Sequence, residues 1–127
     1  MESELVNGLV FNKKPTNETL ANLIALHGPD LPNDYLEFMS LHDGAEGDVG
    51  QNYISIWPIQ DVIQITQFHR THQTAYHQFI ILGSSGYFHY CIYNRMIYEL
   101  DLIDDEYREA IGSSFSEFLQ AFSKRQW

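Results

Sequence analysis

Six histidines, one cysteine, a Ser-Ser pair and 17 acidic residues are the groups in this chain that could do chemistry. Their spacing decides whether they do. His69, His72 and His77 sit close together, but HxxH lacks the i, i+4 register and the intervening Glu of a zinc-protease helix, and no cysteine or carboxylate lies in that stretch to complete a site. No metal is expected unless distant residues complete the set. His27 and His42 fall on apolar helix faces and His89 on a strand, where each reads as a partly buried, hydrogen-bonded histidine rather than a ligand or base. Gly83-Ser84-Ser85-Gly86 lacks the second spacer of a GxSxG elbow and lies between strands, so it reads as a turn. Cys91 lies two residues from His89, yet neighbouring inward side chains on one strand point into packing and not at a substrate. There is no GxGxxG or GxxxxGK[ST] phosphate loop, hence no expected cofactor. The carboxylates of Asp104-Asp105-Glu106 crowd together like a solvated surface, whereas general acid catalysis needs one of them desolvated. Nothing here asks for an enzyme.

The elements that hold these residues are legible in part. Phe79 to Leu102 reads as three consecutive strands: an apolar run Phe79–Leu82, a strand over Tyr87–Tyr93, and a third after a turn at Asn94-Arg95. Residues directly opposite one another in an antiparallel pair share a face. If Tyr93 faces Met96, one face carries Tyr87, His89, Cys91, Tyr93, Met96, Tyr98, Leu100 and Leu102 and reads as core. The other carries Phe88, Tyr90, Ile92, Ile97, Glu99 and Asp101, a mixture of aromatics and carboxylates. That second face is the first candidate for function, unless a helix or the chain's own N-terminus covers its aromatic half.

Elsewhere, Thr16 caps a helix carrying Leu20, Leu23, Ile24 and His27, which Gly28-Pro29 stops. A second helix opens at Pro32 with the stripe Tyr35, Phe38, Met39 and His42, and Asp43-Gly44 ends it. Asp43 to Asn52, with three glycines and no large side chain, reads as a loop. Tyr53–Trp57 reads as a strand closed by Pro58, followed by one or two helical turns at Ile59, Val62 and Ile63. Gln64 to Gln78 reads as an irregular loop, and Asp104 to Ile111 as a turn of helix. The last helix is the clearest, with a Ser114/Glu117 capping box and the stripe Phe115, Phe118, Leu119 and Phe122. Residues 1 to 15 stay open between a short strand and a packed arm.

Length and composition fit one globular domain over residues 1–127, and a lone cysteine fits a reduced compartment. The start of the chain lacks a basic region followed by an apolar one, and no run approaches a membrane span, so a cytoplasmic protein is expected. A net charge of −10 disfavours direct binding to nucleic acid and favours a cationic protein partner.

Three stretches in order carry a resemblance. They are Leu31-Pro32-Asn33-Asp34-Tyr35-Leu36-Glu37-Phe38 running to Asp43-Gly44; Ile54-Ser55-Ile56-Trp57-Pro58; and Phe79-Ile80-Ile81-Leu82-Gly83 with the aromatic strand after it and the C-terminal Ser114-Phe115-Ser116-Glu117-Phe118-Leu119. Over residues 16–122 the chain resembles the SUKH superfamily, which includes fungal cell-wall synthesis regulators and bacterial immunity proteins of polymorphic toxin systems. The resemblance implies an α+β fold, a mixed or antiparallel sheet of about 4–6 strands with helices packed mainly on one face. It implies function by binding: an immunity protein that occludes a cationic protein toxin, commonly a nuclease, or alternatively a regulatory or scaffolding module. The expected contact patch is Phe88, Tyr90, Glu99 and Asp101, flanked by Glu46 and Asp48, because aromatic anchors ringed by charge make tight compact interfaces.

Overall fold

Period-two and period-3.6 patterning give, in the computed structural model, an α+β fold of seven strands and four helices. The structure describes residues 4–86, 88–101 and 106–126. In chain order the elements are β1 (Gly8–Phe11), α1 (Asn17–His27), α2 (Asn33–Leu41), β2 (Ala45–Val49), β3 (Asn52–Ile56), α3 (Ile59–Thr71), β4 (Ile80–Ser85), β5 (Phe88–Tyr93), β6 (Met96–Asp101), β7 (Glu106–Gly112) and α4 (Phe115–Ser123). The strands form one open sheet in the order β1 to β7, so every paired neighbour is consecutive in sequence and antiparallel. Helices α1 and α2 fill the connection from β1 to β2, and α3 fills that from β3 to β4.

Local signals explain most of this. Thr16 Oγ1 accepts from the Thr19 N–H (3.1 Å) to start α1, and Ser114 Oγ accepts from the Glu117 N–H (3.1 Å) to start α4. The Glu117 carboxylate takes its own bond from Ser113 rather than Ser114. Asn94 and Arg95 both adopt positive φ, 50° and 66°, which gives the two-residue turn its type I′ twist and pairs Tyr93 with Met96 as expected.

The sheet has more strands than the sequence suggested, because two segments read otherwise are strands; a third lengthens a strand already expected. The glycine-rich stretch after Asp43 is strand β2: Ala45 and Val49 are buried, while Glu46 and Asp48 point out. Small inward residues hid that alternation. Gly47 is required there, because a Cβ would lie 2.3 Å from the Gly8 carbonyl oxygen of β1. Residues 106–112 form edge strand β7 and not a turn of helix; Asp104 and Asp105 lie outside the described residues, as do Tyr87 and Leu102. Of the expected turn Gly83-Ser84-Ser85-Gly86, the first three residues continue β4, and the reversal comes at Gly86. Gly83 lets β3 pass close, since its Cβ would meet the Ser55 carbonyl oxygen at 2.3 Å.

The remaining correction concerns α3, which runs through most of the expected Gln- and His-rich loop. Its inward stripe is Ile59, Val62 and Thr66, only two apolar residues, so the helical period is faint in the sequence. Thr66 earns its place by polarity: its hydroxyl accepts from the Ile81 N–H (3.2 Å), a strand donor lying past the short pairing of β3 with β4. Carboxylates tie the helices together in the same way. Asp34 of α2 accepts from the Phe115 and Ser116 N–H groups at 2.9 and 2.8 Å, capping α4. Asp43 accepts from the Ile59 N–H at 2.7 Å, capping α3.

One large core joins inward residues of all four helices to Ile54, Ile56, Ile80, Leu82, Tyr90, Ile92 and Ile97 of the sheet. A smaller cluster of Tyr76, Phe79, Ile81, Cys91 and Leu100, with Trp57 and Tyr98 against it, covers the opposite face of β4, β5 and β6. The segment leading from α3 into β4 supplies Tyr76 and Phe79 to that cover.

Candidate functional site

The β5–β6 hairpin has the expected pairs, Phe88 with Asp101, Tyr90 with Glu99 and Ile92 with Ile97, but the face they share is buried in the large core. Tyr90, Ile92, Ile97 and Glu99 expose no surface. The Tyr90 ring packs on Phe118 and Phe122 of α4, at centroid distances of 5.0 and 5.7 Å. Its hydroxyl shares a 2.7 Å hydrogen bond with Ser85, and burial pushes its pKa up to about 12. Both oxygens of Glu99 accept from the Arg125 guanidinium, which reaches back from beyond α4. Tyr90 and Glu99 are therefore interior groups and present nothing to a partner. Arg125 is the reason a carboxylate can sit there, since a buried charge needs a close counter-charge. Phe88 and Asp101, at the end of the same face, are half-buried, with Phe88 packed against the large core.

The face expected to be core, on the outer side of the sheet, is so only in part: Cys91 and Leu100 are fully buried in the smaller cluster. Tyr93 and Met96 are exposed, and His89 and Tyr98 half-buried. Trp57 meets the His89 ring edge-on at 5.5 Å. Burial lowers the pKa of His89, and His69 lowers it further; burial alone lowers that of His69. Cys91 is buried, and desolvation raises its thiol pKa well above the ordinary value, so it is a core residue.

Glu46 and Asp48 lie on this outer face at the other end of the sheet, separated from β5 by β3 and β4. They do not flank the hairpin pairs. Register places Val10, Glu46 and Ser55 in one row and Gly8, Asp48 and Tyr53 in the next. Tyr53 is 53% exposed; its hydroxyl donates to Glu46 Oε2 at 2.7 Å, and that bond raises its pKa. Among the described residues no buried cluster covers this end. Sequence reasoning missed Tyr53 as a surface residue, although Tyr53-Ile54-Ser55-Ile56 alternates strictly and Ile54 and Ile56 are the inward pair.

The three histidines that invited a metal reading are held singly: His69 Nδ1 lies 2.8 Å from Thr74 Oγ1, His72 Nδ1 donates to the Phe68 carbonyl at 3.0 Å, and His77 Nδ1 to that of Thr74 at 2.9 Å. Among the described residues no group of three His, Cys, Asp or Glu side chains is placed to hold a metal ion. No helix there is long and apolar enough to cross a membrane.

Four helices on a seven-stranded antiparallel meander define an α+β protein. The chain belongs to the SMI1/KNR4 family (SUKH-1), whose model matches residues 14–121, and this family includes toxin immunity proteins. No curated protein is similar enough to match.

Proposed function

We propose that this protein is an immunity protein that binds a cationic protein toxin, such as a nuclease, and neutralises it by stoichiometric occlusion. The observation that carries the reading is the outer face of β1, β2 and β3, which no cluster of the described residues covers. There Glu46, Asp48, Tyr53 and Val10 are exposed side by side on a chain of net charge −10. A nuclease binds phosphate through a basic groove, and carboxylates fixed on a rigid sheet fit the same charge pattern. The carboxylates steer encounter, and Tyr53, held by Glu46, offers a large flat contact that loses little conformational freedom on binding. Phe88 and Asp101 lie on the far end of the other face and take no part in this patch.

The test begins with capture from source-cell lysate by tagged protein at low and high salt, with bound species identified by mass. One basic, toxin-like protein at stoichiometric yield, held less tightly in high salt, supports the reading. Glu46→Lys together with Asp48→Lys should then slow its association about tenfold or more at low salt, with a smaller effect at high salt. Unchanged association would overturn the patch. A set of housekeeping partners would favour the regulatory module instead.

A further inference from the structure

We infer that the outer edge of β1 accepts an added strand: an extended segment of a protein partner in which apolar and basic side chains alternate. β1 is the terminal strand of the sheet. The Asn12 N–H crosses to the Gly44 carbonyl (3.0 Å), and the alternation of an antiparallel ladder then turns both backbone groups of Phe11 and the carbonyl of Leu9 away from β2. The Leu9 N–H is taken by the Val6 carbonyl (3.1 Å), and among the described residues no backbone group meets the other three. An edge of this kind is a template for main-chain pairing.

Both sides of that edge specify the occupant. On the inner side α2 and β1 border a groove of about 260 Å³ lined by Val6, Phe11, Phe38, Leu41 and His42, with the carboxylates of Asp34 and Glu37 beside them. Leu41 is 61% exposed, and the Phe11 ring stacks on His42 at 4.3 Å and lies tilted to Phe38 at 6.0 Å. On the outer side Val10 is 69% exposed and is followed one strand inward by Glu46 and Asp48. Successive side chains of an added strand point to opposite sides, so alternate residues enter the groove beside Phe11, Phe38 and Leu41 and the intervening ones approach Glu46 and Asp48. Valine-like residues suit the first set and lysine or arginine the second. Lys13 and Lys14 follow the strand rather than line it. A second copy of this chain would bring its own Glu46 and Asp48 to the same place, with net charge −10 on each molecule, so charge selects a cationic partner.

The inference uses the cationic-partner reading above only for the sign of the partner's charge. A short capped peptide alternating lysine and valine is titrated into the intact protein while amide exchange is followed by NMR. The expected result is exchange of the Phe11 N–H slowed about tenfold or more at saturation. The same peptide N-methylated at its valine amides, or with glutamate for lysine, should bind about tenfold or more weaker, as should the original peptide to Leu41→Lys. Binding without protection of Phe11, equal binding of the N-methylated peptide, or no binding at all would overturn the inference. Protection of Phe11 that rises with protein concentration alone would also overturn it, by assigning the edge to a second copy. Such a failure leaves the open-face reading standing, because the N-methylated peptide tests the edge, and Glu46→Lys with Asp48→Lys tests the face.

Discussion

Two places in this sheet set a tyrosine against a carboxylate across neighbouring strands, and they have opposite fates. Tyr90 pairs with Glu99 on β5 and β6 and both are sealed beneath α4. Tyr53 pairs with Asp48 and bonds Glu46 on β3 and β2, and these side chains are exposed. Residue type does not separate them. What separates them is the cover: Phe118 and Phe122 close over Tyr90, and Arg125 neutralises Glu99. Strand pairing thus tells which side chains share a face, while the role of that face is set by elements far away in the chain.

The comparison is broken most severely by removing the cover. Phe122→Ala empties space against Tyr90 and should cost about 3–5 kcal/mol, read from urea unfolding. Truncating the open aromatic, Tyr53→Ala, should leave the unfolding midpoint where it is. Equal losses at the two sites would show that the two faces do not differ in cover. A smaller effect isolates the charge. Arg125→Ala takes the guanidinium away from buried Glu99 and should cost about 2–3 kcal/mol, below the full value for a buried pair because Arg125 is 31% exposed and water trims the attraction. Replacing both partners by leucine should recover most of that loss, since the penalty lies in a buried carboxylate that has lost its guanidinium. A single variant as stable as the parent would mean that Glu99 finds other compensation.

How far the sequence foretold this follows from the same contrast. Elements with strong local signals were legible: the Thr16 and Ser114 caps, the four-residue stripe of α4, the Asn94-Arg95 turn and the register it sets. The family was legible from three ordered stretches. Elements whose inward residues are small or polar were not, as with Ala45 and Gly47 in β2 and Thr66 in α3. The candidate patch failed on a non-local fact. Glu99 looked like a surface carboxylate because its partner is 26 residues away, in a segment whose pattern said nothing about where it lands.

The smallest effect sharpens the comparison along the outer face, which Tyr76 and Phe79 cover over β4–β6 and nothing among the described clusters covers over β1–β3. His89 and His69 lie under or beside that cover, and burial lowers the pKa of each from 6.5. A histidine with a depressed folded pKa binds its proton more tightly when unfolded. Stability from these groups is therefore complete above about pH 6.5 and declines as pH falls from there toward the folded values. Buried His27, also lowered chiefly by burial, adds a slope of the same sign. His89→Phe keeps a ring against Trp57 but removes the proton, so unfolding free energy measured from about pH 8 to pH 5 should fall less steeply than in the parent. An unchanged slope would remove His89 from the acid response and leave it to His69 and His27.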